Sequence, residues 1–73
     1  MSKQSFSTRF SVVMDAAGLT TTALHELTGI EETSISKFRS GVRKPNIDNL
    51  GKLVKHLPET TDLYWLITGE NHQ

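Results

Sequence analysis

Hydrophobic residues recur at helical spacing in five short stretches of the chain, and a glycine or a proline follows each stretch. The apolar positions of the first stretch are separated by four, three, one and three residues, which predicts one face of an amphipathic helix. Ser5 is a suitable N-cap for this helix, and Gly18 is a suitable end. The face comprises Phe6, Phe10, Val13, Met14 and Ala17.

The second and third stretches are separated by very few residues. The second, capped by Thr20 or Thr21, carries Ala23, Leu24 and Leu27 and ends at Gly29. Gly29 can adopt the positive φ of a sharp helix end, and apolar Ile30 follows at once. The third stretch carries Ile30, Ile35 and Phe38 and ends at Gly41. Two short helices joined this tightly cross at a steep angle, which predicts a helix-turn-helix.

The third stretch also has a polar side. At 100° per residue, four hydrogen-bonding residues fall within about 100° of arc, opposite Ile35 and Phe38. These four are Thr33, Ser36, Lys37 and Ser40. A short helix face of this kind suits insertion into a DNA groove.

The last two stretches predict two further helices. Residues 41–46 form a loop bracketed by Gly41 and Pro45, and Asn46 caps a fourth helix that Pro58 stops. Thr60 or Thr61 caps a last helix from Asp62 to Thr68, which Gly69 ends. The residues expected to face inward are Ile47, Leu50, Leu53, Val54 and Leu57 in the fourth helix and Leu63, Leu66 and Ile67 in the fifth.

No stretch alternates apolar and polar residues as a strand does, so the prediction is an all-α fold of five short helices around one core. With 73 residues the chain has room for a single domain. Residues 1–4 and 70–73 are expected to be frayed.

Charge is uneven along the chain although the eight basic and eight acidic residues cancel. A neutral total counts against nucleic-acid binding, but residues 37–55 carry six basic residues opposed only by Asp48. Beyond them, Glu59, Asp62 and Glu70 stand without a Lys or Arg. The middle of the chain is therefore basic and its end acidic.

Composition excludes several classes of site. The absence of cysteine rules out disulfides, thiolate zinc sites and cysteine catalysis. His25, His56 and His72 lie on separate elements without metal-ligand spacing, so we predict no metal and no cofactor. No catalytic motif occurs, which argues against an enzyme. No membrane span or secretory leader is visible, which favours a cytoplasmic protein.

The residues from about 5 to 70 resemble a known family. The pattern from Leu19 to Pro45, with its punctuating glycines, is similar to the helix-turn-helix domain of lambda-repressor-like and Cro-like regulators. Residues 63–70 resemble the fifth helix of phage-repressor-type members. The resemblance implies a compact five-helix bundle whose second motif helix lies in the major groove of double-stranded DNA.

Site residues follow from the resemblance by position. The residues at positions where family members read bases are Glu32, Thr33, Ser34 and Lys37. The helical angles add Ser36 to this set and place Ser34 at the side of the helix. Those that fall where the family contacts phosphates are Thr21, Ser40, Arg43 and Lys44.

Three features depart from the family pattern. His25 takes a position usually held by alanine, where we expect it to be partly buried. The family commonly has an ion pair between an acidic residue at the position of Arg39 and a basic residue at the position of Met14. That pair is absent here, and we expect Arg39 to pair with Asp15 instead. Glu31 and Glu32 begin the recognition helix, where carboxylates interact favourably with the helix dipole. Near DNA they are repelled by the phosphates, unless a carboxylate accepts a hydrogen bond from the N4 amino group of cytosine.

Tyr64 and Trp65 are expected to have different positions, one in the core and one at the surface. Both cannot face inward with Leu63 and Ile67, so one should complete the core beside Leu66. The aromatic residue left outside is a candidate dimer contact.

These observations favour a sequence-specific DNA-binding regulator, a repressor of phage or bacterial type that binds a two-fold operator as a homodimer. One alternative is an antitoxin-like protein-interaction module with secondary DNA binding, which the neutral charge and the two glutamates favour. Another is the N-terminal DNA-binding domain of a longer regulator.

Overall fold

Four of the five helices have an N-cap side chain that accepts a backbone hydrogen bond. The computed structural model describes residues 5–70, which form five α-helices and no strands. Oxygen atoms of Ser5, Thr20, Asn46 and Asp62 each accept a hydrogen bond from the backbone N–H three residues further on. The helices are Phe6–Ala17 (α1), Thr21–Thr28 (α2), Glu32–Ser40 (α3), Ile47–Lys55 (α4) and Leu63–Thr68 (α5). The prediction of an all-α, five-helix fold is confirmed.

Two predicted helix boundaries are wrong. α4 ends at Lys55 and not at Pro58, because the N–H of His56 bonds the Leu53 carbonyl at 3.1 Å and tightens the last turn. α5 begins at Leu63 with Asp62 as its N-cap. The threonines expected to cap α5 precede it, since the N–H of Thr61 closes a turn on the Pro58 carbonyl at 2.9 Å.

All five helices contribute buried side chains to one core. α1 packs against both α3 and α5, while α2 packs against α3 and α4. The Cα radius of gyration of 11.6 Å is close to the roughly 11 Å typical of a compact chain of this length. The buried apolar side chains are Phe10, Met14, Leu24, Ile30, Ile35, Phe38, Leu53, Leu57 and Leu66.

Four residues assigned to apolar faces are exposed. Ile47, at the start of α4, is 81% exposed, and Leu27, Leu63 and Ile67 also face outward. In α5 the buried side chain is Leu66, whereas Leu63 and Ile67, on the same helical face, are left exposed. Apolar periodicity identifies a stripe, but apolar residues remain common at protein surfaces.

The two arginines at the core edge have different partners. Arg39 Nη2 donates to Asp15 Oδ1 at 3.2 Å, which confirms the predicted pair. Arg9 is 6% exposed, and its Nε donates to the Leu66 carbonyl at 2.9 Å. The sequence patterns missed this second role, because an arginine on the first helix looks like any solvated charge.

None of the described helices combines the length and the apolarity needed to cross a membrane.

Candidate nucleic-acid interface

α3 presents a polar side to solvent because its apolar side is anchored in the core. Ile35 and Phe38 are buried, and α3 ends after nine residues at Gly41. The polar residues predicted to form one arc all lie at the surface. These residues, Thr33, Ser36, Lys37 and Ser40, are exposed. Glu32, outside the predicted arc, is exposed as well, and Ser34 is half-buried at the side of the helix.

The turn between α2 and α3 is stabilised by side chains that bond its backbone. His25 Nδ1 lies 2.7 Å from the Ile30 carbonyl oxygen, and His25 is half-buried as predicted. Thr28 Oγ1 accepts from the N–H of Ile30 at 3.1 Å and donates to the Leu24 carbonyl at 2.7 Å. Ile30 is thus buried within a three-residue turn rather than in α3. These bonds restrict how α3 can move relative to α2.

A direct side-chain bond also links the exposed surfaces of the two motif helices. Thr22, in the first turn of α2, donates its hydroxyl to Glu32 Oε1 at 2.9 Å. Glu32 is the first residue of α3. The sequence patterns did not single out Thr22, because a threonine near a helix start has an ordinary explanation in local capping.

The start of α3 differs from that of the other helices. Glu31 is its N-cap, but no side-chain hydrogen bond caps it. Both Glu31 and Glu32 are exposed. The two adjacent carboxylates therefore differ, since only Glu32 is tied to α2.

The end of α3 leads into a loop that carries the predicted phosphate contacts. The Lys37 carbonyl accepts from Ser40 Oγ at 3.2 Å and from the N–H of Arg43 at 3.3 Å, which folds the loop back on the helix. Arg43 and Lys44 are exposed. Thr21, at the start of α2, is half-buried.

A cleft of about 310 Å³ separates this loop from the start of α1. Its polar lining consists of hydroxyl groups and cations, a composition suited to an anion. Gly41 has φ +86, and a Cβ there would lie 3.0 Å from Ser7 Oγ. The lining residues are Ser5, Phe6, Ser7, Phe38, Ser40, Gly41, Arg43 and Lys44.

The basic middle of the chain is less charged at its surface than the sequence indicates. Of its six basic residues, Arg39 is paired with Asp15. Lys37, Arg43 and Lys44 remain exposed on α3 and the loop that follows, while Lys52 and Lys55 are exposed on α4. The positive charge near the polar face of α3 therefore comes mainly from the first three.

The two aromatic residues of α5 have different surroundings. Trp65 is half-buried and lines a largely apolar cleft of about 260 Å³ together with Val12 and Ala16 of α1. Tyr64 is 43% exposed. Leu63 and Ile67, one helical turn apart on α5, are exposed as well. Tyr64 is thus the aromatic residue on the open surface.

The described residues contain no group of three or more His, Asp or Glu side chains arranged to hold a metal ion. His72 and the predicted frayed ends, apart from Glu70, lie outside residues 5–70. Glu70 is anchored in part, because its N–H donates to Thr68 Oγ1 at 3.1 Å.

Comparison with family models identifies the family of this chain. A family model for the Cro/C1-type HTH DNA-binding domain matches residues 9–60, which is more than half of the chain and contains α2, the turn and α3. Searches of curated proteins and of solved structures gave no significant match. The predicted family resemblance is confirmed, and the chain belongs to the family of Cro/C1-type HTH DNA-binding domains.

Proposed function

We propose that this protein is a sequence-specific transcriptional repressor that binds double-stranded operator DNA with α3 in the major groove. The observation that carries the proposal is the exposed polar face of α3, anchored from behind by buried Ile35 and Phe38. A helix held this way can present hydrogen-bonding side chains to base edges without disturbing the core.

The proposed base-reading residues lie on or beside this face. Thr33, Ser36 and Lys37 point into solvent together, and Lys37 is suited to the O6 and N7 acceptors of guanine. Exposed Glu32 lies at the start of the face, and half-buried Ser34 contributes at its edge. The proposed set is Glu32, Thr33, Ser34, Ser36 and Lys37.

The proposed phosphate contacts flank the base-reading face on two sides. Ser40, Arg43 and Lys44 follow α3, and Thr21 begins α2. Phosphate contacts supply most of the affinity and fix the register of the protein on the duplex. The protein would repress by occupying the operator in a bacterial or phage-infected cytoplasm and excluding polymerase.

Selection of bound sequences from a duplex library with a randomised centre tests this function. A consensus should emerge, and Lys37→Ala or Thr33→Ala should each weaken binding to that consensus by about 1–3 kcal/mol. Lys55→Ala is a matched control, because it removes the same charge from an exposed position on α4. If Lys37→Ala and Lys55→Ala weaken binding equally, α3 does not read the groove.

A second copy of the chain is the proposed partner on DNA. One copy offers few base contacts on a body of zero net charge, so it should discriminate poorly. Two copies on one duplex make the second binding step effectively intramolecular. The motif then requires half-sites about 10–10.5 base pairs apart.

α5 is the proposed site of contact between the two copies. Tyr64, Leu63 and Ile67 are all exposed on α5, and aromatic residues are enriched at interface cores. Half-buried Trp65 supports this surface from the α1 side. Three apolar side chains form only a small patch, so the dimer is expected to form on DNA rather than in free solution.

Sedimentation of the protein with a duplex carrying the selected consensus tests the dimer. Two chains per duplex are expected, and Tyr64→Ala should reduce cooperative loading of the second chain. Ile47→Ala is a control, since Ile47 is an exposed apolar residue on α4, outside α5 and outside the proposed base and phosphate contacts. Full affinity as a monomer on one asymmetric half-site, or a 1:1 complex with a different protein on α5, would refute the homodimer.

A further inference from the structure

The bond between Thr22 and Glu32 connects the two motif helices at the surface that the proposed function turns toward DNA. The Thr22 hydroxyl donates to Glu32 Oε1 at 2.9 Å, and both residues are exposed. Among residues 5–70, no Lys or Arg forms an ion pair with this carboxylate. The hydroxyl group is therefore its partner across the turn.

We infer that Glu32 is the specificity-determining residue for a cytosine in each half-site and that Thr22 is a positioning residue that holds it there. This inference rests on the proposed function, because it requires α3 in the major groove.

The chemistry of an ionised carboxylate restricts which base it can accept. A carboxylate only accepts hydrogen bonds. In the major groove, cytosine offers the N4 amino donor, guanine offers two acceptors, and thymine offers an acceptor and a methyl group. Adenine offers the N6 donor beside the N7 acceptor, which repels a second carboxylate oxygen. Cytosine is thus the base that Glu32 tolerates best.

Thr22 matters because a free glutamate has several rotatable bonds and is repelled by the phosphates. The hydroxyl occupies part of the acceptor capacity of Oε1 and leaves Oε2 available for an amino group. Fixing Oε1 to α2 reduces the freedom that Glu32 would lose on meeting the base. It also limits rotation of the carboxylate toward other hydrogen-bond donors or solvent, which sharpens discrimination.

Glu31 provides an internal comparison. It is the same residue type, it adjoins Glu32, and it is also exposed at the start of α3, yet it makes no capping side-chain bond. A general effect of removing a carboxylate near DNA would appear at both positions. A base-reading effect would appear at Glu32 alone.

The experiment is selection from a randomised duplex library, followed by competition binding with duplexes that differ at one base pair. The proteins are the wild type and Thr22→Val, Thr22→Ser, Glu32→Gln and Glu31→Gln. Thr22→Val keeps the shape of the side chain and removes the hydroxyl, whereas Thr22→Ser keeps the hydroxyl. Thermal melting of each variant accompanies the binding measurements.

The wild type should select cytosine at one position of each half-site, with about tenfold or greater preference over other bases. Glu32→Gln should move that preference to adenine, because glutamine pairs with adenine N6 and N7. Thr22→Val should reduce the cytosine preference about three- to tenfold, and Thr22→Ser should retain it. Glu31→Gln should leave the preferred base unchanged.

Each contrary result has a separate meaning. If the wild type selects no consensus, the proposed function fails. If a consensus emerges but Glu32→Gln changes no base preference, the base-reading role is wrong while the proposed function stands. Two results would show that Thr22 is not a positioning residue for specificity. One is that Thr22→Val weakens binding to all duplexes equally, and the other is that it lowers the melting temperature but keeps the cytosine preference.

Discussion

Replacing Arg9 by methionine tests how strongly one buried guanidinium holds α5 on the domain. Arg9 Nε donates to the Leu66 carbonyl at 2.9 Å, and Nη2 donates to the Ile67 carbonyl at 3.3 Å. These carbonyls lie in the last turn of α5, where intrahelical donors are lacking. Methionine keeps most of the apolar stem and removes every donor.

The magnitude follows from two opposing effects. Hydrogen bonds to charged groups contribute roughly 1.5–3 kcal/mol each, and a carbonyl left unsatisfied costs roughly 1–3 kcal/mol. Against this loss, methionine avoids the desolvation of a guanidinium that is 6% exposed. The net expectation is a destabilisation of about 2–3 kcal/mol. In a domain of this size that corresponds to a melting temperature lower by roughly 8–24 °C.

Urea unfolding followed with two probes measures the effect. Trp65 is the sole tryptophan and lies on α5, so its fluorescence reports on docking of that helix, whereas far-ultraviolet circular dichroism reports on all five. The two transitions should coincide in the wild type. In Arg9→Met the fluorescence transition should occur at a lower urea concentration, because α5 detaches first.

Arg39→Met is the matched control. The Arg39 side chain is 31% exposed and pairs with a largely exposed Asp15, so solvent screens the pair and the expected cost is about 1 kcal/mol or less. If Arg9→Met unfolds within about 0.5 kcal/mol of the wild type with coincident transitions, the reasoning about the buried arginine is refuted.

Three further predictions concern the edges of the proposed DNA interface. Arg39→Ala should lower the melting temperature by about 4–8 °C with little change in operator affinity, and the opposite pattern would make Arg39 a DNA ligand. Arg43→Ala should weaken binding to all duplexes and lower the slope of log affinity against log salt by about one, as measured by salt titration. Gly41→Ala should destabilise by about 1–2 kcal/mol from positive φ, with an added cost because the new Cβ meets Ser7 Oγ at 3.0 Å. Gly29→Ala, at φ +77 with no atom within 4 Å of the new Cβ, should show the cost of the positive φ alone. Adding Ser7→Ala should recover stability in Gly41→Ala but not in Gly29→Ala, and thermal melting of the single and double variants checks this.

The order and type of the helices could be predicted from the sequence because local chemistry determines them. Apolar spacing, the caps Ser5 and Asn46, and glycines such as Gly29 act over a few residues, and the structure follows them. The polar face of α3 was likewise predictable, since the helical period fixes which side chains share a side once Ile35 and Phe38 are buried.

Contacts between helices were decided by the tertiary structure. The prediction that Arg39 pairs with Asp15 succeeded because helical angle placed the arginine at the core edge. The burial of Arg9 and the bond from Thr22 to Glu32 had no such signal, because they depend on where α5 and α2 come to rest. The outward direction of Ile47 and Ile67 has the same origin: a periodic stripe marks a potential face, but the neighbouring helices determine how much of it is covered.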